Sequence, residues 1–263
     1  FIDGSTDGAV GGNLTLTSVT GNVTQGVALA VTGTTTVTTS ADDATITLGT
    51  STNAFTGAVT LTTNDGDGTA ANVTIDGGTT ALVIAASTVD GDLTLTSGNV
   101  AGITDTGTLT IGGNLSATTD ANAGVVTLDS LAVDGSIALA TNSTGNATVS
   151  NDAGLIFAAS TVGGTLSATA VTGNVSDTGT QAITGAATYI TRAAGSNIIL
   201  DDSANTYAAQ VTFKADTGGN ETFGNLTFVD TGGIKLDADA DAAGDLFIDG
   251  STDGAVGGNL TLT

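Results

Sequence analysis

Aliphatic and hydroxyl side chains alternate along most of this chain. Leu14-Thr15-Leu16-Thr17, Thr45-Ile46-Thr47-Leu48 and Leu93-Thr94-Leu95-Thr96 each place an aliphatic residue at every second position. Residues two apart share one face of a β-strand, so this period predicts short strands with Leu, Ile and Val turned inward and Thr outward. No stretch keeps the i, i+3, i+4, i+7 spacing of an amphipathic helix over two turns, and almost no helix is expected.

The strands follow a recurring corner, an aliphatic residue and then a turn containing Gly. Examples are Val10-Gly11-Gly12-Asn13-Leu14, Val89-Asp90-Gly91-Asp92-Leu93, Ile111-Gly112-Gly113-Asn114-Leu115, Val133-Asp134-Gly135-Ser136-Ile137 and Val162-Gly163-Gly164-Thr165-Leu166. Val31-Thr32-Gly33 and Ile183-Thr184-Gly185 are looser members. In sequence numbering the steps are 21 from Val10 to Val31, 22 from Val89 to Ile111 and again to Val133, 29 to Val162, and 21 to Ile183. A second set, Gly21-Asn22-Val23, Gly98-Asn99-Val100, Gly145-Asn146-Ala147 and Gly173-Asn174-Val175, keeps rough step with the first. A unit of about 21–22 residues with two anchors and occasional insertions fits one coil of a three-sided β-solenoid, in which each coil buries its apolar face on its neighbours.

A longer repeat encloses the short one. Residues 1–17 are identical to residues 247–263, an offset of 246. The chain therefore reads as one full period, 1–246, plus the start of the next identical period, 247–263, of a longer tandem array. The period should hold about eleven coils in a continuous solenoid, without a domain boundary at the join.

Composition supports this reading. Pro cannot donate to a β-ladder, and the chain has none; its 39 Gly supply tight corners. Aromatic residues are only 3%, which suits a thin, regular core of small β-branched side chains. Phe213, Phe223, Phe228, Phe247, Tyr189 and Tyr207 gather in the last third, where a locally thicker core is expected. Mean hydropathy of +0.30 argues against disorder. No apolar run reaches the length of a transmembrane helix, and the few aromatics are a poor girdle for a membrane barrel, so no membrane insertion is expected.

The segments Val27–Val37, Asn53–Val59 and Ala85–Thr94 resemble the repeat phrases of bacterial filamentous-haemagglutinin-like and autotransporter-type exoproteins. The resemblance covers most of residues 10–190 and weakens over 191–246. It implies a right-handed parallel β-helix, exported and displayed at the cell surface as an adhesin or fibre, and it brings no catalytic residues with it.

Charge narrows the partners. The chain carries a net charge of −23, and one 246-residue period carries −21. Over a period on the order of 50–55 Å long, that is roughly one negative charge per 2.5 Å, against one per ~1.7 Å in duplex DNA. Nucleic acid and anionic membranes are excluded as partners on this ground. The expected partners are further copies of the chain, end to end or side by side, and a host or neighbouring-cell surface. With no His or Cys and a single Glu, material for catalysis is scarce, and the chain does not read as an enzyme.

Calcium is the cofactor the acidic residues suggest. Asp237, Asp239 and Asp241 alternate, and Asp245, Asp249 and Asp253 follow at four-residue steps. Asp249-Gly250-Ser251-Thr252-Asp253-Gly254 has the opening spacing of a calcium loop, but Leu260 stands where a bidentate Glu is expected. Ordinary solvated Asp at turns is the competing reading. Thr-x-Thr pairs such as Thr15/Thr17 and Thr60/Thr62 read as solvent-facing strand positions, without a fixed offset from coil to coil. Asn13, Asn22, Asn72, Asn114, Asn146 and Asn174 each begin Asn-x-Ser/Thr, which follows from Asn at a corner and Thr two residues into a strand. The expected function is a structural segment of a giant extracellular repeat protein, with a calcium-dependent surface-layer or matrix protein as the alternative and a carbohydrate-acting β-helix third.

Overall fold

The computed structural model describes residues 8–64, 66, 70–216, 222–232, 235–236, 245–249, 255–256 and 260–263. Among these residues the regular structure is all β-strand, and the strand pairs are parallel. The chain forms two compact units, Phe1–Gly135 and Ser136–Thr263.

The first unit opens with three ladders, one for each wall of a solenoid turn. The first wall holds Gly8–Val10, Leu29–Val31 and Ala54–Phe55. The second holds Leu14–Ser18, Thr35–Thr39 and Val59–Thr62. The third holds Val23–Thr24, Ile46–Leu48 and Val73–Asp76. Stacking one turn on the next brings like residues into columns. Ile46, Val73, Leu93 and Leu115 form one column, and Leu48, Ile75, Leu95 and Ala117 form its neighbour two residues along. All eight are at most 1% exposed, and each large aliphatic contributes about 1.5–3 kcal/mol by leaving water. The period-2 alternation therefore does what it predicts: one face of every strand fills a dry, continuous core.

The anchors stack as their spacing requires. Val10 pairs with Val31, Val89 with Ile111, Ile111 with Val133, and Val162 with Ile183. The corner glycines stack too. A Cβ on Gly57 would strike the backbone of Gly33, one on Gly135 that of Gly113, and one on Gly185 that of Gly164. Only Gly lets successive corners approach this closely.

In the second unit, Ala147–Asn151, Leu166–Ala170, Ala187–Thr191, Val211–Ala215 and Asp245–Asp249 form one ladder. Leu155–Phe157, Val175–Asp177, Ile198–Leu200, Leu226–Phe228 and Leu260–Leu262 form another. Ser160–Val162, Gln181–Ile183 and Thr206–Tyr207 form a third. The core here is thicker, as the aromatic cluster predicts. Tyr189 stacks on Phe213 at 5.9 Å between centroids, and Phe157 meets Tyr189 edge-on at 6.0 Å. Tyr207 and Phe228 complete the cluster at 4.9 Å. Phe223 and Phe247 lie in described strands, but their side chains are outside the described set.

The described ladders make about nine turns, five steps from Leu14 to Val126 in the first unit and four from Ala147 to Leu246 in the second. About eleven per period were expected. The difference comes from turn length. In sequence numbering a step is 19 from Ala147 to Leu166, but 27 from Ile46 to Val73 and 35 from Val211 to Leu246.

Candidate functional site

The outward residues of the strands and the residues at the corners make up the surface that a partner could meet. On the second wall of the first unit, Thr17, Thr38, Thr62, Thr88 and Thr110 occupy successive turns in one column. Thr15, Thr36 and Thr60 form a shorter column two residues away. As the sequence reading has it, Thr-x-Thr pairs do not recur in every coil at a fixed sequence offset: the steps from Thr15 to Thr36 and from Thr36 to Thr60 differ. Measured along the walls, the pairs of the first three turns lie in register, because the corners absorb the unequal sequence spacing.

The corners are closed by side-chain amides. Asn13 Oδ1 accepts a hydrogen bond from the Thr34 N–H at 3.0 Å, Asn22 from Thr45 at 2.9 Å, and Asn72 from Asp92 at 2.7 Å. Asn146 accepts from Thr165 at 2.8 Å, and Asn174 from Asn197 at 2.8 Å. Asp92 takes the same role beneath Asn114 at 2.7 Å. Each oxygen satisfies an N–H of the next turn at the point where the strand ladder is interrupted. This explains why Asn recurs at this position, and with it the Asn-x-Ser/Thr pattern. Asn99 departs from the set: its amide donates to the Thr79 carbonyl at 2.8 Å, its oxygen accepts from Ala101, and Val100 beside it is exposed rather than opening a strand.

Three carboxylates are half-buried against the walls. Asp105 accepts from the Ser130 N–H at 2.9 Å, Asp177 from the Asp201 N–H at 3.0 Å and Asn205 Nδ2 at 2.7 Å, and Asp76 from the Gly78 N–H at 2.7 Å. Burial pushes all three up from the ordinary carboxylate range, and the hydrogen bonds offset only part of it. Nearby carboxylates add to the rise, Asp120 for Asp76, Asp129 for Asp105 and Asp201 for Asp177. Arg192 Nε lies 3.7 Å from Asp216 Oδ2, an exposed pair of little energetic weight.

Of the acidic residues proposed for calcium, Asp237, Asp239, Asp241 and Asp253 lie outside the described residues. Asp249 ends the Asp245–Asp249 strand opposite Lys214 in register, and its side chain is not among those described. Among the described residues, no group of three or more acidic side chains is arranged to hold a metal ion. The corner caps were visible in the sequence as a pattern without a role. The buried carboxylates carried no signal there, since an Asp beside a turn reads the same whether solvated or desolvated.

A family described as repeats of unknown function, DUF5649, matches three stretches of the chain, residues 4–62, 70–142 and 144–214. The chain belongs to the DUF5649 repeat family. Its members here are blocks, each holding three copies of the anchored strand: Leu14, Thr35 and Val59 begin those of the first block, Leu93, Leu115 and Ile137 those of the second, and Leu166, Ala187 and Val211 those of the third. No curated protein matches the chain. No solved structure matches it.

Proposed function

We propose that this DUF5649 chain is a structural segment of a giant extracellular repeat protein that forms a surface fibre or adhesin stalk. The observation that carries the reading is the return of residues 1–17 at 247–263, supported by the parallel stacking of described residues of the second copy on the strand before them: Leu260 pairs with Leu226, and Thr261 with Thr227. A sequence that continues its own sheet suits an element whose task is length and stiffness. The dry aliphatic columns give cohesion along the ladders. The polyanionic exterior keeps neighbouring copies apart, so the chain can be long without bundling.

The resemblance to exported bacterial β-helical exoproteins supports placement at the cell surface. The alternative, a calcium-dependent surface-layer or matrix protein, draws on the alternating carboxylates Asp237, Asp239 and Asp241 with Asp249 and Asp253. Electron microscopy of a multi-period chain, with calcium and with a chelator, separates the two. Filaments that persist in chelator support the self-sufficient fibre. Filaments that dissolve support the calcium reading, and compact particles in both conditions overturn the fibre.

A further inference from the structure

The amide caps at the corners leave one end of each side chain unused. Asn13, Asn22, Asn72, Asn146 and Asn174 give their Oδ1 to an N–H of the next turn at 2.7 to 3.0 Å. An amide is planar, so holding Oδ1 against the chain turns Nδ2 away from that bond. All five residues are exposed, and among the described residues Nδ2 finds no partner.

Each of the five opens an Asn-x-Ser/Thr triplet, and the strand displays that triplet on one side. In Asn72-Val73-Thr74, Val73 is buried in the core while Asn72 and Thr74 reach the surface. Asn13-Leu14-Thr15, Asn146-Ala147-Thr148 and Asn174-Val175-Ser176 are built the same way, with the middle residue buried and the outer two not. Asn22-Val23-Thr24 keeps the order with Val23 half-buried.

A cap does not by itself require the triplet. Asn197 caps Asn225 at 2.6 Å, yet Ile199 stands where the hydroxyl would be, and Asp92 caps Asn114 with a carboxylate. The residues stacked next after the five are Thr34, Thr45, Asp92, Thr165 and Asn197, and none of them opens such a triplet. An adduct wider than the ~4.8 Å between turns therefore meets no second adduct on the turn that follows. At the corner leading into the third wall of the first unit the order is Asn22, Thr45, Asn72, Asp92, Asn114, so the triplets fall on alternate turns.

We infer that Asn13, Asn22, Asn72, Asn146 and Asn174 are sites of N-glycosylation, in which a sugar is joined through its C1 to Nδ2. The co-reactant is a sugar activated as a diphosphate ester, carried on a nucleotide or on a lipid. The Nδ2–C1 bond forms as the bond from C1 to the phosphate oxygen breaks. The diphosphate leaves with the electron pair, and one Nδ2 proton passes to a base of the transferase. Oδ1 takes no part, so the cap and the ladder it closes survive. Asn114 differs: its Nδ2 donates to Asp92 Oδ1 at 3.1 Å, and an adduct there competes with that bond. The inference concerns these corners and stands whether or not the chain forms a surface fibre.

The chain isolated from the cells that produce it, cut at Asp and read by mass spectrometry, should carry sugar on these five Asn more often than on Asn114. Single hexoses identify a nucleotide donor, and one preassembled oligosaccharide identifies a lipid donor. In the same cells, T74V and S176A remove the triplet's hydroxyl at outward strand positions without touching a cap, and each should abolish the adduct at its own Asn only. T74S should keep the adduct on Asn72. Far-UV circular dichroism checks that each variant keeps its sheet. Four results overturn the inference: bare Asn at these positions, sugar confined to Ser and Thr hydroxyls, an adduct on Asn72 that survives T74V in a folded chain, or Asn114 occupied as often as Asn72.

Discussion

Tyr189 and Tyr207 join their hydroxyls in a 3.0 Å hydrogen bond inside the aromatic cluster, where both side chains are buried. Burial raises both phenols above their usual range; for Tyr189 the bond from Tyr207 offsets part of the rise. A phenol raised in the folded state stays protonated while the unfolded chain ionises. Its contribution to stability is therefore intact below about pH 10 and is lost as pH climbs beyond it. These are the only two Tyr in the chain. Phenolate absorbance should consequently stay flat through pH 10 and rise only as the second unit unfolds; a smooth titration near 10 in the folded protein would contradict the buried pair. Tyr207→Phe strands the Tyr189 hydroxyl and should cost about 1–3 kcal/mol, and the double Phe variant should cost less than that.

Thr35 interrupts an otherwise aliphatic column between Leu14 and Val59. Its hydroxyl is buried with no hydrogen-bond partner, and the same holds for Thr191. Valine has the same shape without the desolvated oxygen. Thr35→Val and Thr191→Val should each stabilise the fold by about 1 kcal/mol, read as a higher urea midpoint with unchanged slope. A loss of stability would mean that the hydroxyls find partners.

Asn53 is 1% exposed and serves as a cross-brace between turns. Its oxygen accepts from the Leu29 N–H at 2.8 Å, and its nitrogen donates to the carbonyls of Leu48 and Asp76 at 3.0 Å. Asn205 has the corresponding place in the second unit, accepting from the Gln181 N–H at 2.7 Å and donating to Asp177. Asn53→Ala leaves several buried backbone groups unpaired and should cost about 3 kcal/mol. Exposed Asn13→Ala, which frees one N–H to water, should cost under about 1 kcal/mol. Denaturant midpoints of the two variants check the ranking.

The spacing of anchors made the pairing register legible, because a parallel ladder converts a fixed sequence offset into a neighbour. Val89, Ile111 and Val133, equally spaced in sequence, are Cα partners as their spacing requires. The longer step from Val133 to Val162 read as an insertion. It is an added strand, Ala147–Asn151, with its own inward Ala147 and Val149. Alternation alone cannot distinguish a strand that stacks on the preceding anchored strand from one that stacks on the strand following it, as Leu93 does on Val73. That distinction lies in which strand sits above, a long-range fact. Asn53 and Asn205 were equally silent: an Asn before a short strand looks like any corner residue until the turns above and below close on it.

Acid and salt should act on stability in the same direction. Asp76, Asp105 and Asp177 have folded values raised by burial. A raised carboxyl binds its proton more readily folded than unfolded, so these groups favour the fold most where they are protonated, below about pH 4. That contribution is lost as pH rises through their elevated folded values. The net charge of −23 opposes compaction at neutral pH, and both protonation and added salt weaken that repulsion. The urea midpoint should therefore rise from pH 7 to pH 4.5, and rise with NaCl at pH 7. The salt effect should shrink at pH 4.5, where part of the charge is already gone. In Asp177→Asn the acid gain should fall, because the buried site no longer takes up a proton while its hydrogen bond to the Asp201 N–H can be kept by the amide oxygen. Equal acid gains in the variant and the parent would show that diffuse surface charge alone sets the pH dependence.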